Sequence, residues 1–94
     1  MATLFVRHPV TDYDTWKRAY DEFGTARKAH GVTAATVHRD ASDPNMIVVT
    51  HRFPTAAAAQ AFMAQDALKA AMQKAGVTAP PIAWITEDVE ATPH

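Results

Sequence analysis

Four short segments rich in β-branched and aromatic residues predict the strands of a β-sheet. The first, Thr3–His8, stops at Pro9, which cannot donate a backbone hydrogen bond. The second and third, Val32–Arg39 and Met46–Phe53, flank the sequence ASDPN, whose Asp, Pro and Asn residues favour a turn. These two segments therefore predict a hairpin. The fourth strand, IAWITEDV, begins at Ile82 after a proline-rich spacer.

A helical pattern separates the first two strands. Its aromatic residues recur at intervals of three and four, which places them on one face of a helix. Asp12 is positioned to cap the N-terminus, Gly24 weakens the helix without necessarily ending it, and Gly31 marks its end. The aromatic stripe consists of Tyr13, Trp16, Tyr20 and Phe23.

A second helical segment connects the third and fourth strands. It begins after Thr55, a capping residue, and Gly76 marks its end. Asp66 is positioned to cap a fresh turn, which predicts a break near Gln65. The complete order is βαββαβ.

This order predicts a single α+β domain over residues 1–94 with the ferredoxin-like arrangement, a four-stranded antiparallel sheet with its helices on one face. The third strand is apolar on both sides, with Met46 and Val48 on one and Ile47 and Val49 on the other. A sheet with one solvated face normally alternates apolar and polar residues. We therefore expect a second copy of the chain to cover the face without helices, forming a dimeric α/β barrel.

Composition restricts the partners of the chain. It is 94 residues long with a net charge of −1, so it lacks the basic surface typical of nucleic-acid binding. No apolar run approaches the roughly 20 residues that span a bilayer, and no signal peptide is visible. There is no cysteine to form a disulfide or a thiolate site. We expect a cytoplasmic protein without nucleic-acid or membrane partners.

Three predicted strands each carry a histidine beside an arginine. The pairs are Arg7-His8, His38-Arg39 and His51-Arg52. A right-handed crossover between strands one and three would make them adjacent and parallel, which brings the first and third pairs together at one edge of the sheet. The second pair is then expected at the opposite edge, beside the turn. Neighbouring residues on a strand face opposite sides, so only one member of each pair can face a given cavity.

His8 and His51 are the candidate catalytic residues, because histidine exchanges protons near neutral pH. Two alternatives remain open for them: hydrogen bonding within the structure, or metal binding. Two histidines without a third ligand are a weak indication of a metal site, so no metal is expected. Trp84 lies early in a strand that is antiparallel to strand one, and we expect it near His8. The candidate ligand-binding residues are Trp84, Trp16, Tyr20, Arg7 and Arg52.

The sequence resembles the dimeric α/β-barrel superfamily over nearly its whole length. The resemblance rests on RHPVTDYDTWKRAYD after the first strand, on the DPN turn, and on the AMQKAGV…PP run before the fourth strand. These stretches are similar to those of small antibiotic-biosynthesis monooxygenases and polyketide cyclases. Known activities in the superfamily include cofactor-free oxygenation of aromatic polyketides, haem degradation and aldoxime dehydration. The only asparagine, Asn45, lies in the turn, and no catalytic residue is carried over.

The resemblance implies a homodimer with a pocket for a small hydrophobic or aromatic molecule. It implies a cofactor-free monooxygenase or cyclase of secondary metabolism, and we expect no cofactor. Three glycines without a glycine-rich motif agree with the lack of a nucleotide site. Two alternatives remain: a non-catalytic ligand-binding or regulatory dimer, and a metal- or haem-binding barrel.

Overall fold

Four strands and four helices make up the chain, which a computed structural model describes over residues 1–94. The predicted βαββαβ order is confirmed, and each helical segment is divided in two. The strands are β1 (Ala2–Pro9), β2 (Ala34–Arg39), β3 (Met46–Phe53) and β4 (Ile82–Glu87). The helices are α1 (Tyr13–Glu22), α2 (Gly24–Ala29), α3 (Ala56–Met63) and α4 (Asp66–Lys74).

The helix ends follow the capping pattern of the sequence. The Asp12 carboxylate accepts a hydrogen bond from the backbone N–H of Thr15 at 3.0 Å, and the Thr55 hydroxyl accepts one from Ala58 at 3.1 Å. The break near Gln65 is confirmed, although Gln65 is the cap residue and makes no side-chain capping bond. Asp66 is instead the first residue of α4.

The two glycines predicted to end the helical segments both have positive φ. Gly31 has φ 93° and Gly76 has φ 86°, a region that glycine enters without a steric penalty. Strand β2 starts later than predicted, because the Val32 N–H donates to the Arg27 carbonyl at 3.1 Å and so belongs to the end of the helix. None of the helices has both the length and the apolar character needed to cross a bilayer.

The sheet has the order β2-β3-β1-β4, and all neighbouring strands are antiparallel. The prediction that β1 and β3 are parallel is wrong. The crossover through α1 and α2 joins β1 to β2, and the hairpin then reverses the chain so that β3 enters between them, antiparallel to both. His8 therefore lies opposite Ile47, and His51 lies opposite Leu4 at the other end of β1. The first and third His–Arg pairs are at opposite edges of the sheet.

The helices cover one face of the sheet, and the hydrophobic core lies between the helices and this face. The largest fully buried side chains are Phe53, Phe62, Leu4, Ile47 and Val6. The other face, called here the open face, carries the remaining residues of the alternating strands. Phe5 and Trp84 stack on it with ring centroids 5.2 Å apart, and Ile82 is 57% exposed. The apolar character predicted for both faces is therefore present.

The hairpin turn between β2 and β3 is held by its own side chains, as predicted. The Asp43 carboxylate accepts a hydrogen bond from the Asn45 N–H at 3.0 Å, and the Asp40 carboxylate accepts one from the Ser42 N–H at 3.0 Å. Arg39 Nε donates to the Pro44 carbonyl at 3.0 Å. Local hydrogen bonds of this kind are typical of Asp in turns.

Candidate functional site

A cavity of about 60 Å³ lies between the helices and the covered face of the sheet, and we call it the histidine cavity. It is lined by 13 residues, mostly hydrophobic. They are His8, Trp16, Ala19, Tyr20, Phe23, Arg27, Val49, His51, Phe62, Leu68, Ala71, Met72 and Ala75. Both candidate catalytic histidines therefore border the same space.

His8 comes from the C-terminal end of β1, where alternation turns it toward the helices. It is only 3% exposed, and its Nδ1 atom is buried without a hydrogen-bond partner. The ring lies 5.8 Å from the ring of Trp16, measured between centroids. Burial lowers the pKa of His8 below its ordinary value, because an apolar environment disfavours the charged ring.

His51 comes from β3 and is 5% exposed. Its Nδ1 atom is also buried without a hydrogen-bond partner, and its ring packs 5.4 Å from that of Phe62. Burial, together with the nearby positive charge of Arg27, lowers the pKa of His51 to about 4. The ring is therefore neutral at pH 7, and it is a weaker base than an exposed histidine.

Strand register explains why two distant histidines share a cavity. His8 lies opposite Ile47, which is four residues before His51 on the same strand, and side chains two or four apart point to one face. The two histidine positions are roughly 13 Å apart along the sheet. Val6 and Val49 form the row between them. The two rings thus border opposite ends of the cavity and do not form a proton-sharing pair.

The aromatic wall of the cavity comes from α1. Trp16 is 4% exposed and stacks on Tyr20 with 5.0 Å between centroids, so both of these predicted ligand-binding residues line the space. Arg27 of α2 places its guanidinium 3.6 Å from the centroid of the Tyr20 ring and donates to the Tyr20 carbonyl. Arg27 was not among the site residues predicted from the sequence. The signal was present, since Arg27 follows Phe23 by four residues and extends the aromatic stripe.

The other predicted ligand-binding residues lie away from the cavity. Trp84 pairs with Phe5 on the open face, so the expectation that it approaches His8 is wrong. Its register places it opposite Phe5, in the middle of β1, with its side chain on the other side of the sheet from the histidine cavity. Arg7 is exposed on the same open face, and Arg52 forms an ion pair with Asp88, with Nη2 2.8 Å from Oδ2.

The second His–Arg pair is separate from the cavity, as predicted from the sequence. His38 is exposed on the open face, and its Nε2 lies 2.9 Å from the Thr36 hydroxyl. Its neighbour Arg39 stacks over the ring of Tyr13 at 4.2 Å. However, His38 shares a row with Val48 and Arg7, so it is the first and second pairs that share one edge of the sheet.

A larger groove of about 430 Å³ lies beside the histidine cavity, and we call it the outer groove. It runs along α4 and the proline-rich spacer before β4, and its lining includes Lys69, Gln73 and Pro80. Leu68 and Met72 border both spaces. Leu68 and Met72 of α4 therefore form the wall that separates the histidine cavity from the outer groove. No group of three or more His, Asp or Glu side chains in the structure is arranged to hold a metal ion.

Comparison with known proteins identifies the fold. No protein-family model matches the sequence, and no curated protein matches it significantly. Among solved structures, SnoaB, a cofactor-independent oxygenase from Streptomyces nogalater, matches with a TM-score of 0.78 at 14% identity, over 99% of this chain and 97% of that one. An antibiotic biosynthesis monooxygenase matches with a TM-score of 0.71 at 16% identity, over 96% of this chain and 100% of that one.

Rv0793 from Mycobacterium tuberculosis matches with a TM-score of 0.69 at 12% identity, over 98% of both chains. At such low identities the likeness concerns backbone architecture. The chain has the ferredoxin-like fold of antibiotic biosynthesis monooxygenase structures.

Proposed function

We propose that the protein is a homodimer that binds a small aromatic molecule in the histidine cavity and acts on it as a cofactor-free monooxygenase or cyclase. One observation carries this proposal: His8 and His51 are buried in an aromatic-lined cavity with their Nδ1 atoms unpaired. An unsatisfied buried polar atom costs about 1–3 kcal/mol, which a hydroxyl or carbonyl of a ligand would recover. The shared fold with SnoaB, a cofactor-independent oxygenase, supports the same reaction class.

The two histidines have different roles in this proposal. His8 accepts a proton from a substrate hydroxyl, because its pKa, although lowered, is not reduced by a neighbouring cation. His51, with a pKa of about 4, is a poor base and instead orients the substrate by hydrogen bonding. Trp16 and Tyr20 provide a flat wall against which an aromatic ring can pack.

Oxygenation of a phenol needs no redox group from the protein. The phenol and O₂ give a quinone and water: one oxygen atom enters the ring, the other leaves as water, and the substrate supplies the four electrons that reduce O₂. The protein contributes deprotonation, since the phenolate is more easily oxidised than the phenol, and a site from which water is excluded.

Ligand size requires the wall between the two spaces to move. The histidine cavity, at about 60 Å³, is well below the roughly 300 Å³ at which sites for drug-sized ligands begin. The outer groove reaches about 430 Å³. A rotamer change of Met72, an unbranched and flexible side chain, would connect them and let the ligand occupy both.

The proposed test compares His8→Ala with the matched control His38→Ala. The probe is 1-naphthol, whose conversion to 1,4-naphthoquinone and water follows this stoichiometry, with binding followed under argon by NMR and turnover followed by oxygen uptake above the uncatalysed rate. We expect His8→Ala to weaken binding or turnover at least about tenfold, while His38→Ala behaves as the wild type. Equal behaviour of the two variants would show that the cavity histidines are structural.

The weak basicity of His51 favours a second candidate function, ligand binding without chemistry. A non-catalytic protein would bind the probe in the same cavity and show the same dependence on His8. It would not raise oxygen uptake above the uncatalysed rate, nor convert the probe under air. Oxygen uptake therefore separates the two functions.

A further inference from the structure

Arg27 is the only residue lining the histidine cavity that carries a charge at neutral pH. No aspartate or glutamate belongs to the lining, and burial keeps both histidines neutral. The guanidinium has no carboxylate within ion-pair distance, because the ion pairs of the protein are Lys17–Asp21 and Arg52–Asp88. The cavity thus has a net positive charge without a counter-ion in the protein.

The contacts that Arg27 makes leave most of its hydrogen-bonding capacity unused. Its Nη1 donates to the Tyr20 carbonyl, near the end of α1, and its planar group stacks on the Tyr20 ring. These contacts fix the guanidinium in place. The carbonyl near the C-terminus of α1 favours a cation, and the face of the Tyr20 ring attracts it as well. A guanidinium carries five N–H donors. One donates to a carbonyl here, and stacking leaves the edges of the plane free.

We infer that the histidine cavity selects the anionic form of an aromatic ligand, a phenolate or enolate, and that Arg27 is the residue that recognises its charge. The inference rests on the proposed function and names its substrate class. The charge of an aromatic oxyanion is shared by the oxygen atoms conjugated with its ring, so the guanidinium can donate a hydrogen bond to any of these oxygens, including one other than the oxygen that lost the proton. The buried Nδ1 atoms of His8 and His51 supply the second reason to expect a ligand in this space.

A pair of probes that differ in charge tests the inference. At pH 8.5, 4-nitrophenol is ionised and 4-nitroaniline is neutral, while their size and shape are nearly the same. We expect the wild type to bind the nitrophenolate at least about tenfold more tightly than the nitroaniline, as for a hydrogen bond to a charged group. Titration of the nitrophenol absorbance should also show a lower apparent pKa for the bound phenol than for the free one.

Two variants separate recognition from structure. Arg27→Gln keeps a donor for the Tyr20 carbonyl but removes the charge, and Arg27→Lys keeps the charge. We expect Arg27→Gln to abolish the preference for the nitrophenolate and the pKa shift while leaving nitroaniline affinity within about twofold, and Arg27→Lys to retain part of both. Lys28→Gln is the matched control on the same helix, since Lys28 is exposed, and it should retain the full preference.

The outcomes distinguish this inference from the function on which it rests. Equal binding of the two probes by the wild type, or a preference that survives in Arg27→Gln, would overturn the role of Arg27 and leave the aromatic site in place. If neither probe binds and their resonances do not shift, the aromatic site itself is wrong, and the inference fails with it. If Arg27→Gln does not fold by circular dichroism, equal binding of the two probes by Arg27→Lys overturns the inference, and a retained preference supports it.

Discussion

Burial controls the protonation of both cavity histidines, and this property belongs to single residues. An exposed histidine has a pKa near 6.5, whereas His51 is lowered to about 4 because its ring lies among apolar side chains and near a cation. The unfolded chain exposes the His51 ring to water and therefore binds a proton more tightly than the folded state does. Proton binding is therefore coupled to folding, and stability becomes dependent on pH.

The sign of this coupling gives a first prediction. Above pH 6.5 the His51 ring is neutral in both the folded and the unfolded state, so it does not lower the free energy of unfolding. As the pH falls from 6.5 toward 4, the unfolded state is protonated first, so the free energy of unfolding should fall by about 2 kcal/mol by pH 5 on account of His51. Urea unfolding at pH 7.5 and pH 5 measures the difference, and the lowered pKa of His8 adds to it.

Two variants isolate the contribution of His51. His51→Phe cannot bind the proton, so its stability should change less between pH 7.5 and pH 5 than that of the wild type. His38→Phe removes an exposed histidine and should keep the wild-type dependence. The carboxylates with lowered pKa values titrate below this range and do not interfere, since their ordinary pKa is 3.8. A wild-type profile in His51→Phe would contradict the prediction.

The residues of the site were only partly predictable from sequence, and strand direction explains the difference. Alternation along β1 and β3 predicted only that one member of each His–Arg pair can face a given cavity, and the structure buries the histidine of both pairs. The helical stripe placed Trp16 and Tyr20 on one face of α1. The placement of Trp84 failed because the face of a residue depends on register, which no local pattern in this sequence fixes. Arg27 was missed because a charged side chain on a helix is most often solvated.

At the scale of elements, capping and turn chemistry predicted the boundaries well, because these signals act over three or four residues. The cap at Asp12, the turns at Gly31 and Gly76 and the break before α4 are all local. The direction of β3 relative to β1 is not local. It follows from the connection order of the whole domain, in which each crossover skips one strand of the sheet.

The hairpin turn supplies a second prediction. Asp43 accepts one hydrogen bond from the Asn45 N–H in an exposed turn, at the edge of the sheet far from His51. Asp43→Ala should lower the free energy of unfolding by about 1 kcal/mol or less, as for other exposed local hydrogen bonds. Binding of 1-naphthol should be unchanged. Lost binding at an unchanged melting temperature would place the turn within the site.

Helix α4 supplies a third prediction, because Met72 borders both the histidine cavity and the outer groove. Met72→Ala should join the two spaces and strengthen binding of 1-naphthol severalfold, as measured by isothermal calorimetry under argon. Its stability should fall by about 1–2 kcal/mol, less than for a fully buried methionine because Met72 is half-buried.

Gln73→Ala is the control for the Met72 variant. Gln73 is exposed and borders only the outer groove, so its truncation enlarges that groove without touching the wall. Its affinity for the probe should match that of the wild type. Weaker binding in Met72→Ala would instead indicate that Met72 contacts the ligand and that the two spaces stay separate.

At the scale of the whole molecule, the two faces of the sheet have different surroundings. The helix-covered face holds the core and the histidine cavity, while the open face has no cover within the chain. Phe5, Val48 and Thr50 are only half-buried there, and Trp84 is 45% exposed. An apolar sheet face of this kind is typical of a protein interface, and a second copy of the chain would bury it by packing sheet against sheet.

The dimer is the last prediction. Light scattering at micromolar concentration should give about twice the 10.2 kDa of the single chain. Phe5→Asp places a charge on the open face between Thr50 and Trp84, where dimerisation would bury it without a partner, so this variant should be monomeric. Thr25→Asp adds the same charge on exposed α2 and should remain dimeric. A wild-type mass of 10.2 kDa would refute the dimer and leave the histidine cavity, which lies within one chain, unaffected.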